Sequence, residues 1–211
     1  MQLFGLITGF VFFRYLKPFY LRFIVALLFV TCVNELVLIP HTKTAGETNL
    51  CYNLFSLIDI GTWLFIYYRF FKYRRWKTLV FTGGSVLILL SLADLVANGF
   101  NLFHTRSLIA YEVFIIFLSV RYLYGIFTRE YADLFSDPIF WIVSACLLYH
   151  SILIINFTTI TVRDYWKLEN TLVIFNILET AANVIYYLII SFSFLLCFYC
   201  NRKYSKASSP Q

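Results

Sequence analysis

Five acidic side chains lie inside otherwise hydrophobic stretches of the sequence, where they could bind a ligand or carry a proton. They are Glu35, Asp59, Asp94, Glu112 and Glu179. A carboxylate at membrane depth is costly unless it faces a protein interior or a water-filled cavity, so each acid predicts a partner or a ligand. A single histidine, His150, accompanies them, so the predicted interior carries an excess of negative charge.

Neighbouring polar residues keep helical spacing with these acids. Ser56 precedes Asp59 by three positions, and Asn183 follows Glu179 by four. Residues with this spacing share one helix face, which indicates that the polar faces turn towards a common interior. The predicted ligand-binding residues are Glu35, Asn53, Asp59, Asp94, Asn98, Glu112, His150, Glu179 and Asn183.

The charge excess predicts the ligand class. Several carboxylates cannot all stay ionised in a low dielectric, so they share protons or hold a cation between them. We expect a cavity that binds a cation, a protonated amine or a ligand with several hydroxyl groups. The structural alternative is that the same side chains only join helices, at roughly 0.6 kcal/mol per hydrogen bond in a membrane.

The elements that must position these residues are membrane-spanning helices. The chain has 211 residues, of which 61% are hydrophobic and only 13% charged, against about 25% charged in soluble proteins. Apolar stretches long enough to cross a bilayer predict an all-α bundle occupying residues 1–200, with a short polar tail over 201–211. The predicted spans are residues 2–16, 23–39, 50–71, 78–98, 107–127, 138–158 and 170–200, which makes seven spans, or six if the short first segment does not cross.

The basic residues predict the orientation of this bundle. Of the 17 Lys and Arg residues, 13 fall on one side of the alternating spans, so that side is expected to be cytoplasmic and the N-terminus to lie outside. The net charge of +6 then follows from topology, and nucleic-acid binding is not expected. The predicted cytoplasmic basic face comprises Arg69, Lys72, Arg74, Arg75, Lys77, Arg202 and Lys203.

The sequence itself disfavours several classes of membrane protein. The last span has no histidine pair for a zinc hydrolase of the alkaline-ceramidase type and no lysine for a retinal Schiff base. Cys197 and Cys200 form a lone C-x-x-C pair, which is weak evidence for a redox or metal site. We therefore expect no metal, no cofactor and no catalytic residue, and an enzyme is less favoured than a binding protein.

Short motifs resemble a group of small bacterial seven-helix membrane proteins. They are Tyr52-Asn53 followed by Ile58-Asp59, the Asp137-Pro138-x-Phe140-Trp141 segment, and the pair Asn34-Glu35. The resemblance implies a multi-pass protein of the bacterial inner membrane with a sensory or accessory role, and it supplies no catalytic residues.

The expected function is thus a sensory or accessory membrane protein with an outward-facing acidic cavity and a basic cytoplasmic face. The alternatives are a small proton- or cation-coupled transporter or oligomeric pore, and an intramembrane enzyme that uses His150 with a carboxylate as acid and base. The expected partners are the lipid bilayer, a cationic or polyhydroxyl ligand and a cytoplasmic protein, and a homo-oligomer is left open.

Overall fold

The protein is a bundle of helices. The computed structural model describes residues 2–17, 19–99, 102, 104–128, 134–166 and 171–207, with the side chains of 98, 160–166, 171–176 and 201–207 outside the description. The elements are α1 (Gln2–Val11), a 3-10 turn (Phe13–Tyr15), α2 (Leu21–Val33), a π-helical turn (Asn34–Leu38), α3 (Ile39–His41), α4 (Ala45–Phe70), α5 (Arg74–Asn98), α6 (Thr105–Phe127), a 3-10 turn (Leu134–Ser136), α7 (Pro138–Trp166) and α8 (Thr171–Ala207).

Six helical segments are long and apolar enough to cross a membrane. They are Leu21–His41, Ala45–Phe70, Arg74–Ala97, Thr105–Phe127, Pro138–Thr159 and Ile177–Cys200. Many of their outward-facing side chains are apolar, as at Val96, which is 81% exposed, and Phe81. Such a surface is stable only against lipid. The multi-pass membrane architecture predicted from the sequence is therefore confirmed.

The first hydrophobic segment does not form a seventh span of this kind. Helix α1 has 10 residues and is about 15 Å long, half of a hydrocarbon core of roughly 30 Å. It packs between α2 and α8 and closes the ring of helices on that side. Glycine permits the close approach: a Cβ at Gly9 would lie 2.9 Å from Val25 and 3.1 Å from Phe194. The six-span alternative is the count that the structure supports.

The end of α2 widens into a π-helical turn. The Ile39 N–H donates to the carbonyl of Asn34, five residues back, directly before Pro40. Proline lacks an N–H and its ring crowds the carbonyl four residues earlier, so a regular α-helical turn is disfavoured there. The wider turn accommodates the ring, and it contains Glu35. Turns of this type are frequent at functional sites.

Local signals fix the other helix ends. Thr44 Oγ1 accepts from the Glu47 N–H at 3.2 Å, while the Glu47 carboxylate accepts from the Lys43 N–H at 2.6 Å, in a variant of the capping box that begins α4. Gly99, with φ of 82°, ends α5. Asp137 Oδ1 accepts from the Ile139 N–H at 2.9 Å and Pro138 is the first residue of α7.

Candidate functional site

A cavity of about 550 Å³ lies inside the bundle, among α2, α4, α6, α7 and α8, with the start of α1 in its wall. Side chains from five helices that are far apart in sequence meet there, which fits a binding site better than local helix contacts do. The predicted residues that line it are Glu35, Asp59, Glu112, His150, Glu179 and Asn183.

The deeper layer of the cavity contains two hydrogen-bonded pairs. The Tyr111 hydroxyl donates to Asp59 Oδ2 at 2.8 Å, joining α6 to α4. His150 Nδ1 is bonded to Glu112 Oε2, joining α7 to α6, and both side chains of this pair are almost fully buried. We call Asp59, Tyr111, Glu112 and His150 the inner layer. Its two carboxylates face one imidazole, so the layer is negative unless a proton or cation is added.

The other nitrogen of His150 stands out because it has no partner. The residue is 1% exposed, and within the described part of the chain Nε2 makes no hydrogen bond. Aromatic rings surround the imidazole, with centroids 5.7 Å away for Tyr111, 5.5 Å for Tyr149 and 6.4 Å for Trp63. A buried polar atom without a partner is costly, so this nitrogen indicates a place for a ligand atom or a water molecule.

A second acidic layer lies farther along the cavity, away from the inner layer. The Asn156 amide donates to Glu179 Oε2, joining α7 to α8. Glu35, in the π-helical turn after α2, lies close enough to Glu179 for the two carboxylates to repel each other, and Tyr52 of α4 lies near both. We call Glu35, Tyr52, Asn156 and Glu179 the outer layer. Tyr52 lies seven residues nearer than Asp59 to the start of α4, so this layer lies towards the end of the bundle opposite the basic residues.

The described cavity lining combines negative charge with aromatic surface. It has four carboxylates and one histidine but neither lysine nor arginine. Its rings include those of Phe55, Phe157, Tyr149, Tyr186 and Tyr187, with Tyr149 and Tyr186 stacked at 4.6 Å. Aromatic faces carry negative potential and attract cations. The carboxylates and the aromatic rings of the lining thus both favour a cationic ligand.

The cavity ends at a packed floor beneath the inner layer. Trp63 closes it and is 1% exposed, and Tyr67, one turn farther along α4, is fully buried. The Tyr67 hydroxyl and Ser119 Oγ are hydrogen-bonded at 2.5 Å, which ties α4 to α6. Ile115 and Leu118 complete the packing with no exposure. The floor separates the cavity from the basic residues at the other end of the bundle.

Two predicted binding residues lie elsewhere, and a third is outside the description. Asp94 is not in the cavity lining, because it belongs to α5, which packs on α4 and α6 outside the ring that surrounds the cavity. Asn53 is buried, but its amide donates to the Leu102 carbonyl at 2.8 Å and holds the α5–α6 connection. The side chain of Asn98 is not among those described. The structure brings Asp59 and Glu179 to the cavity and places Asp94 outside it.

The predicted basic face lies at the closed end of the bundle. Arg69, Lys72, Arg74 and Arg75 are exposed at the α4–α5 turn, and Lys77 is half-buried beside them. Arg202 and Lys203 belong to the helical end of α8, with side chains outside the described set. The guanidinium of Arg121 lies 4.5 Å from the centroid of the Trp76 ring, which fixes this end of α5 to α6.

Sequence reasoning missed part of the lining. Gln2, Tyr111, Tyr186 and Tyr187 carry no charge, and tyrosine is common throughout this chain, so nothing in their type marked them. The helical offset of seven residues between Glu179 and Tyr186 was an available signal. Within the residues that the structure describes, no three His, Cys, Asp or Glu side chains are arranged to hold a metal ion.

Comparison with known proteins identifies no relative of this chain. The chain matches no protein-family model, no curated protein and no solved structure at a significant level. The chemistry of the cavity itself must therefore indicate what the protein binds.

Proposed function

We propose that this chain is a sensory or accessory membrane protein that binds a cationic ligand in the acidic cavity. The observation that carries the proposal is the charge of the lining: four carboxylates, one histidine and no lysine or arginine among the described residues. Uncompensated carboxylates in a membrane interior are costly, so a bound cation would offset a negative charge that the described lining leaves unbalanced.

The walls support an organic cation over a polyhydroxyl ligand. A ligand rich in hydroxyl groups would not supply the positive charge that four carboxylates require. Here the polar groups form two layers, and Phe55, Leu153 and Tyr186 contribute apolar surface to the same lining. A protonated amine with an apolar body satisfies both kinds of surface.

The floor supports a sensor over a transporter. Trp63, Tyr67 and the residues packed on them close the cavity towards the basic end in this conformation. A site that is closed towards the basic end can change helix packing when a ligand binds, without passing the ligand through. On this proposal the basic face meets a protein partner or anionic lipid and receives that change.

The orientation and the membrane are part of the same proposal. The excess of Lys and Arg at one end favours a cytoplasmic location for Arg69 to Lys77, so the cavity would open to the outer side of a bacterial inner membrane. Cysteine substitutions at Lys72 and Lys43, in a background without the five native cysteines, test this with a membrane-impermeant thiol reagent on intact cells. We expect the reagent to label Lys43→Cys and not Lys72→Cys. Labelling of Lys72→Cys alone would show that the orientation is the opposite of the proposed one.

Ligand binding is tested by thermal unfolding of the purified protein in detergent. A panel of alkylammonium ions is compared with glycerol and a neutral sugar at equal ionic strength. A ligand present at 100 times its Kd stabilises the folded state by about 2.7 kcal/mol, so binding raises Tm measurably. We expect stabilisation by ammonium ions only, and stabilisation by the sugar alone would refute a cationic ligand.

A matched pair of variants places the binding in the cavity. Asp59→Asn removes a carboxylate of the inner layer, whereas Asp94→Asn makes the same change on α5 outside the cavity. Asp59→Asn is expected to abolish most of the stabilisation by ammonium ions and Asp94→Asn to retain it. Proteoliposomes loaded with the ligand test transport: rapid, Asp59-dependent flux would overturn the sensory role in favour of a transporter.

A further inference from the structure

We infer that the ligand is an elongated molecule with two ammonium groups, a linear diamine or polyamine, with one group at each acidic layer. The inference rests on the proposed binding of a cation and adds its chemical class and length. It is drawn from the two-layer arrangement of the carboxylates, from the surface between the layers and from the unpartnered nitrogen of His150.

The separation of the layers can be read along two helices. On α4, Tyr52 of the outer layer precedes Asp59 of the inner layer by seven residues, which is about 10 Å of helix. On α7, His150 of the inner layer precedes Asn156 of the outer layer by six residues, about 9 Å. Antiparallel helices thus give the same spacing. A single small cation cannot contact both layers.

Each layer offers an ammonium group its own set of acceptors. In the outer layer these are the carboxylates of Glu35 and Glu179, which repel each other when both are ionised. In the inner layer Asp59 accepts from the Tyr111 hydroxyl at 2.8 Å and also bonds to the Trp63 side chain, and its two oxygens retain further acceptor capacity. One ammonium group at each layer offsets the negative charge of both layers, whereas a single ammonium group offsets that of one layer only.

His150 supplies the second observation at the inner layer. When its Nδ1–H donates to Glu112, the neutral ring has a lone pair at Nε2, and this buried atom has no partner within the described residues. An ammonium group has three donors, so it has a donor left for this nitrogen after it binds Asp59. Because Nε2 is buried in this structure, the imidazole must turn towards the cavity to make that contact.

Part of the surface between the layers is apolar and suits a methylene chain, beside the polar side chains of Ser56 and Asn183. Phe55 lies between Tyr52 and Asp59 on α4, and Leu153 lies midway between His150 and Asn156 on α7. Tyr149 stacks on Tyr186 in the same wall, with ring centroids 4.6 Å apart. An unbranched chain could therefore run along this apolar strip of the cavity.

The spacing predicts the length of the chain. With C–C bonds of about 1.5 Å, an extended methylene chain advances roughly 1.25 Å per bond, so the two nitrogens of diaminohexane lie about 9 Å apart. Diaminobutane reaches only about 6 Å on the same geometry. Diaminohexane and diaminooctane match the layer spacing, and so do polyamines of similar reach.

The test is a chain-length series measured by thermal shift and by isothermal titration on the full chain in detergent. Diaminobutane, diaminohexane and diaminooctane are compared with butylamine, hexylamine and octylamine. A second charge-assisted contact strengthens binding roughly tenfold or more, so diaminohexane is expected to bind at least tenfold tighter than hexylamine, whereas diaminobutane shows little gain over butylamine. Equal affinities for hexylamine and diaminohexane would overturn the inference.

Variants assign each charge to a layer. Glu179→Gln and, separately, Glu35→Gln are expected to lower the ratio of diaminohexane to hexylamine affinity towards one. Asp94→Asn, outside the cavity, should leave that ratio at its original value. A ratio unaffected by both outer-layer variants would refute the assignment of a charge to that layer. If no ammonium compound of either series binds, the proposed function fails; if monoamines bind as tightly as diamines, only the present inference fails.

Discussion

The buried pair of Glu112 and His150 allows a quantitative test of the inner layer. Glu112→Leu leaves the imidazole without its partner, His150→Leu leaves the carboxylate without its partner, and the double variant removes both groups. The side chains are 2–3% exposed, so water cannot replace either of them. Each single substitution is expected to destabilise the protein by about 2 kcal/mol, which is the usual cost of an unsatisfied buried polar group.

The double variant distinguishes a strong pair from ordinary interhelical contacts. Hydrogen bonds between membrane helices average about 0.6 kcal/mol in double-mutant cycles and reach about 1.7. A buried contact with an ionisable partner belongs at the upper end, so we expect a coupling energy of about 1.5 kcal/mol or more. The double variant should then be hardly less stable than either single variant.

Reversible unfolding in mixed detergent micelles measures these free energies of unfolding. A second cycle between His150→Leu and Asp94→Leu is the control, because Asp94 lies outside the cavity and its effect should add to that of His150 within about 0.5 kcal/mol. Additive effects of Glu112 and His150 would show that the two side chains do not stabilise the fold as a pair, and would remove the basis for the inner layer.

Further predictions concern packing, the π-helical turn and a helix cap. A Cβ at Gly83 would lie 2.5 Å from the Phe114 ring, whereas a Cβ at Gly61 meets nothing within 4 Å. In the same unfolding assay, Gly83→Ala should therefore destabilise the protein by about 1–3 kcal/mol, and Gly61→Ala should stabilise it by about 0.5 kcal/mol. Pro40→Ala should let a regular α-helical turn form and weaken ammonium binding by moving the outer-layer acid of α2; unchanged binding would show that the π-helical turn is not needed for the site. Burial raises the pKa of Asp137 in the folded protein, so the free energy of unfolding falls as pH rises from the ordinary value of 3.8 through the raised pKa. Asp137→Asn should remove this pH dependence and keep the cap. An unchanged pH profile of unfolding in the variant would contradict the prediction.

Much of the fold could be predicted because membrane helices are encoded by simple local patterns. Length and hydropathy located six spans, with boundaries close to those of the structure at α5 to α7. The short first segment was ambiguous, since its composition suits a span while its length does not. Its position between α2 and α8 depends on glycine contacts with distant residues, which no local pattern contains.

The candidate site could be predicted only in part. Acidic residues in apolar helices identified Glu35, Asp59, Glu112 and Glu179 because charge at membrane depth is rare. The same argument included Asp94, and failed there because spacing shows which residues share a face but not which face turns inwards. Trp63 suited an interfacial position by type, yet it is buried beneath the cavity. Which face of a helix turns inwards depends on the helices that surround it, and those neighbours are known only once the bundle is assembled.

The shortness of α1 has a consequence for access. This helix contacts α8 from Tyr187 to Phe194 and α2 at Val25 and Leu28, so it fills the gap between them only in the half of the bundle next to the basic residues. Among the described residues, Leu36, Val37, Ile177 and Leu178 are exposed beyond the reach of α1. Glu35 and Glu179 are their neighbours in sequence, so on the proposed function an amphiphilic amine that partitions into the surrounding bilayer would approach the outer carboxylates from the side.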